Sequence, residues 1–105
     1  MASVDLAAVS EELQKAEEAH VDALEWQLKA EKAKKCRFER AKTEAAANSD
    51  KVVESACERI ARNDPEYLSL WDNENACIVK TERAKIAVSF LQRKFDMFMM
   101  LAKKA

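Results

Sequence analysis

The chain contains no glycine in 105 residues, where average usage of about 7% would supply roughly seven. A Walker-type phosphate loop, a dinucleotide-binding turn and a nucleophile elbow all need glycine, because the backbone there approaches a ligand closely or takes φ > 0. Tight β-hairpin turns favour it as well. Proline and histidine occur once each, and cysteine three times. Cys36, Cys57 and Cys77 are odd in number and lack C-x-x-C spacing. They point away from a disulfide framework or a zinc site and read as small buried hydrophobes in a reducing compartment. The longest apolar run, Met97 to Ala102, is too short to span a bilayer. Asp5 stands where a secretory signal carries basic residues, and Ala2 excludes myristoylation. A soluble cytoplasmic protein without cofactor or metal is expected.

What is present is 49% hydrophobic and 35% charged, a composition that favours helix nearly throughout. A single all-α domain over 1–105 is expected, with a long helix over about 5–47 and a short one over about 50–62. A second long helix should cover about 64–103. Asn48-Ser49-Asp50 is the first cluster whose side chains compete with helical hydrogen bonds. Asn63-Asp64-Pro65-Glu66 is the clearest boundary, with Asp64 as cap and Pro65 in the first turn. The expected architecture is a long helical hairpin with the short helix at its bend.

Coiled-coil-like packing follows from a partial heptad in the last helix. Leu70, Cys77, Ala84, Leu91 and Phe98 form one column, and Tyr67, Val88, Phe95 and Ala102 its neighbour, which Glu74 and Thr81 interrupt. On the first helix Leu6, Val9, Leu13, Leu24, Leu28 and Phe38 are linked by alanines that permit close approach. The stretch Phe95 to Leu101 is apolar on nearly every face, more than one neighbouring helix covers. Leu91, Phe95, Phe98 and Leu101 are therefore the expected core of a homo-oligomer interface, with peripheral membrane contact through Lys103 and Lys104 as the weaker alternative.

Charge is segregated into four alternating blocks beneath a net value of −1. Residues 1–25 hold seven acids and one base, and residues 26–42 seven bases and two acids; residues 43–74 hold eight acids and three bases, and residues 75–105 seven bases and two acids. Folding the hairpin about residues 48–65 is expected to set 26–42 beside approximately 71–87. Lys29, Lys32, Lys34, Lys35, Arg37 and Arg40 would then adjoin Lys80, Arg83 and Lys85 in a basic belt that attracts phosphates. The alternative is a solvated helix face with pairs such as Glu31 to Lys35. The acidic N-terminal block would meet Arg93, Lys94, Lys103 and Lys104, within one chain or between subunits. Trp26, Phe38, Tyr67 and Trp71 bracket the belt, with Trp26 and Tyr67 the members expected at the surface to stack on bases. His20 has neither a second histidine nor a nucleophile placed beside it by any motif. No residue is assigned a catalytic role, and the chain is not expected to be an enzyme.

The run Trp26-Gln27-Leu28-Lys29 followed by Lys34-Lys35 and Glu39 resembles the lysine-rich long helix of the phage UvsY-type recombination mediators. Asn-Asp-Pro-Glu-Tyr-Leu at 63–68, leading into a helix with Phe90, Arg93 and Phe95, adds to the likeness. The resemblance implies a ring-like oligomer in the host cytoplasm that binds single-stranded DNA. It further implies a role in helping a RecA-type recombinase displace single-stranded-DNA-binding protein, with Lys29, Lys34 and Lys35 as DNA contacts. The alternative function is a helical protein–protein interaction module: a phage-encoded adaptor or inhibitor of a host protein, or a coiled-coil structural protein.

Overall fold

The protein is all-α. The computed structural model describes residues 6–48 and 53–104, which form helices α1 (Leu6–Ala47), α2 (Glu54–Arg62) and α3 (Pro65–Lys104). α1 is built from alanine, glutamate, lysine, glutamine and leucine without a breaker. α3 starts where a capping residue precedes proline: Asp64 Oδ2 accepts the Tyr67 N–H at 2.9 Å, and Pro65 needs no donor partner. α2 stops at Asn63, whose N–H reaches the Ile60 carbonyl at 3.2 Å and whose Nδ2 donates to the Arg59 carbonyl at 2.9 Å. No positive φ occurs among the described residues. Asn48 ends α1 as a turn residue bonded back to the Glu44 carbonyl. Ser49, Asp50 and the expected start of the second helix lie outside the described residues.

Two compact units divide the chain. Residues 26–78 make the bend unit, and residues 6–25 with 79–104 make the terminal unit. In the bend unit α1 and α3 run antiparallel, since Arg37 meets Asp64, Phe38 meets Tyr67, and Lys34 meets Trp71 and Glu74. This corrects the expected register. Lys34 was to lie near residue 79, yet α3 meets it about one to two turns closer to the bend. Ala30 and Ala41 of α1 and Cys57 and Ala61 of α2 are buried in this unit, Ala61 completely. Cys36, expected to be buried, is exposed.

In the terminal unit the shielded positions of α1 are Leu6, Val9, Leu13, Ala16, His20 and Ala23, and those of α3 are Thr81, Ala84, Val88, Leu91, Phe95 and Phe98. Both sets repeat at alternating spacings of three and four, the mark of a coiled-coil seam. The α1 seam runs through Ala16, His20 and Ala23 rather than through Leu24, which is exposed. Leu28, in the bend unit, is exposed too. Thr81 and Glu74, which interrupt the apolar column, face inward: Thr81 is buried and Glu74 largely shielded. Ala102 is exposed.

Enlarging the fully buried Ala61 to leucine is expected to destabilise the protein by about 1–3 kcal/mol through overpacking. Leu24→Ser, on the solvent side of the seam, should change stability by less than about 0.5 kcal/mol. Thermal denaturation followed by circular dichroism distinguishes the two.

Candidate functional site

Six of the nine cations expected to form the belt, Lys29, Lys32, Lys34, Lys35, Arg37 and Arg40, stand on α1 in the bend unit; Lys80, Arg83 and Lys85 stand on α3 in the terminal unit. The observed register in the bend unit turns Lys34 and Arg37 of this cluster toward carboxylates of the neighbouring segment. Arg37 donates from Nε to Asp64 Oδ2 and from a terminal nitrogen to Asp64 Oδ1, both at 2.8 Å. It also lies 3.2 Å from Glu66 and 3.6 Å from Glu44. Such a bidentate fork is among the stronger and more directional polar contacts available to a protein.

Lys34 Nζ sits 2.9 Å from Glu74 Oε2 and 4.5 Å from the centre of the Trp71 ring. Glu74 Oε2 is buried without an aligned hydrogen bond, so the ammonium meets it as a charge. Lys35 donates to Glu31 at 2.9 Å, one turn back on the same helix. That bond lowers the Glu31 carboxyl from its ordinary value and raises the Lys35 ammonium. These three cations, Lys34, Lys35 and Arg37, are thus already engaged.

Aromatic rings continue the arrangement. Lys42 lies 5.8 Å from the Phe38 ring, which packs tilted on Tyr67 at 5.3 Å between centroids. Trp71 Nε1 donates to the Tyr67 hydroxyl at 3.1 Å. Tyr67, expected at the surface, is half-buried by this packing, whereas Trp71 joins Trp26 among the exposed aromatics. Trp26 is 65% exposed, with Lys29 Nζ 5.1 Å from its ring centre. Lys32, Arg40, Lys80, Arg83 and Lys85 are exposed and have no ion pair among the described residues.

The terminal unit presents a different surface. Leu91, Phe95 and Phe98 lie on the shielded seam, and Leu101 is exposed. On the side of α3 away from that seam runs a second series at the same spacing: Val79, Arg83, Ile86, Phe90, Arg93, Met97 and Met100. Ile86 and Phe90 are each 66% exposed, and Val79, Met97 and Met100 are exposed as well. Phe90, Arg93, Lys94, Met97 and Phe98 line a shallow concavity of about 450 Å³. Sequence reading missed this stripe because the inner seam accounts for the heptad; the signal was a second 3-4 series offset from the first. Within one chain, the acidic residues on α1 make no ion pair with Arg93, Lys94, Lys103 or Lys104 of α3 among the described residues.

No set of three metal-ligating side chains converges among the described residues, and no described helix is long and apolar enough to cross a membrane. Comparison with protein-family models, curated proteins and solved structures finds no match to this chain.

The bonds from Arg37 and from the Tyr67 N–H hold the Asp64 carboxyl down at about 2, against an ordinary 3.8. A depressed carboxyl contributes stability that is complete above the unfolded-state value and is lost as pH falls through the folded-state one. Asp64→Asn is therefore expected to be less stable than the parent at pH 5, with the gap closing toward pH 2. Melting temperatures of the two proteins at both pH values provide the check; a constant gap would deny Asp64 this role.

Proposed function

We propose that the chain is a helical protein–protein interaction module that performs no chemistry and works by offering the outer face of α3 to another helix. One observation carries this reading: α3 bears a second series at heptad spacing, five exposed apolar residues with Arg83 and Arg93, and α1 covers only the inner one. Exposed apolar surface of this kind, rimmed by charge, marks interaction sites on proteins. Methionines such as Met97 and Met100 suit a face that must adapt to a partner. The module would work in the cytoplasm, the compartment to which the cysteine usage points. Phe90→Glu tests the reading because its side chain projects into solvent, so helix content should persist while partner capture is lost. Cross-linking in the producing cell should give a species with the parent that disappears with the variant; identical species from both would end this proposal.

A second reading, single-stranded nucleic acid binding in a recombination mediator, keeps one specific support. Trp26 and Lys29 form an exposed aromatic and cation pair, with Lys32 nearby on the same helix and without an ion pair among the described residues. Stacking on the ring together with phosphate attraction is how single-strand binders hold their ligand. Engagement of Lys34, Lys35 and Arg37 by carboxylates makes this reading the weaker. It requires oligonucleotide binding at low salt that Lys29→Glu with Lys32→Glu reduces by about tenfold or more, with a flatter salt dependence. Absence of binding by the parent would remove the mediator, recombinase and single-stranded-DNA-binding protein from consideration.

A further inference from the structure

We infer that the occupant of the outer α3 face is the same face of a second copy, laid antiparallel in a register favoured by charge; this rests on the interaction-module reading above. The series has two kinds of position. Arg83, Phe90 and Met97 fall on one column, and Val79, Ile86, Arg93 and Met100 on the other. A parallel pair sets each column against itself, bringing Arg83 to Arg83 and Arg93 to Arg93. Like charges so placed oppose association.

An antiparallel pair sets one column against the other, and successive registers differ by one heptad. One register opposes Arg83 to Arg93, Glu82 to Asp96 and Lys80 to Lys94, so every charged layer repels. The next register pairs Arg93 with Phe90, Ile86 with Met97, and Arg83 with Met100. Along its flanks Glu82 meets Lys103, Lys80 meets Leu101, Ala87 meets Lys94, and Ser89 meets Asp96. No like charges oppose one another there, and each contact occurs twice by symmetry. Sliding one heptad further sets Asp96 against Asp96 and Lys94 against Lys94.

The favoured register also uses the exposed features already described. Arg93 of one copy lies over Phe90 of the other, a cation–π contact at the concavity that both residues line. Glu82 and Lys103 have no ion pair among the described residues of a single chain. The dimer supplies each with one.

Sedimentation velocity over a range of concentrations, with helix content followed by circular dichroism, tests the proposal. The parent should sediment as a dimer at high concentration, and Phe90→Glu as a monomer of unchanged helix content. Glu82→Lys alone and Lys103→Glu alone should each weaken the dimer about three- to tenfold at low salt, and the double swap should restore it. A dimer indifferent to Phe90→Glu, or single and double swaps that weaken it alike, would overturn the assigned face and register. A parent that stays monomeric while cross-linking to a different protein through Phe90 would overturn self-pairing and leave the module reading standing. A monomer with no Phe90-dependent partner would overturn both.

Discussion

The carboxylate of Asp64 holds two constraints at once, and the bend unit depends on both. One oxygen caps α3 by accepting the Tyr67 N–H, while the two oxygens together receive the fork of Arg37 from α1. The cap determines where α3 begins, and the fork determines which residue of α1 stands beside that beginning. From this point the pairing of α1 and α3 is propagated by geometry: Phe38 falls on Tyr67, and Lys34 on Trp71 and Glu74. A slip of seven residues would preserve the apolar heptad but separate Arg37 from Asp64 and leave Glu74 shielded without its ammonium. The polar members of the seam thus give the pairing a definite register, which the alanines beside them are too small and too alike to supply.

That register has an electrostatic consequence. The basic segment of α1 meets the acidic beginning of α3, so charge that looks concentrated along the chain is dispersed in the bend unit. The terminal unit behaves differently. Between its two helices no acid pairs with a base among the described residues, and its apolar residues occupy two sides of α3 rather than one. Local compensation and exposed, unpaired surface therefore occur in different units of the same small chain.

Much of the fold was legible because it depends on local chemistry. The cap and proline at Asp64-Pro65 announced the start of α3, and the columns through Leu70, Cys77, Ala84, Leu91 and Phe98 announced its shielded side. The α1 seam was harder to read, since hydrophobicity singles out Leu24 and Leu28 while close packing selects Ala16, His20 and Ala23. The relation of Lys34 to Glu74 was not legible at all. It depends on a contact between Arg37 and Asp64, distant in sequence, whose displacement by one or two turns exchanges a basic neighbour for an acidic one. The outer stripe of α3 was visible in the spacing but obscured by the stronger inner series.

The lack of glycine reaches beyond the helices to the state from which they fold. Every residue of this chain carries a Cβ, which narrows the backbone conformations available to the unfolded chain and reduces the entropy surrendered on ordering. Runs of alanine, glutamate, lysine and leucine in α1 keep a local preference for helix even without a neighbouring helix. Loss of the packing between helices therefore need not abolish the helices themselves, and the denatured ensemble retains fluctuating helical segments. Folding is then largely a matter of bringing partly formed rods into register, a task for which a carboxylate that caps one rod and clasps the other is well placed.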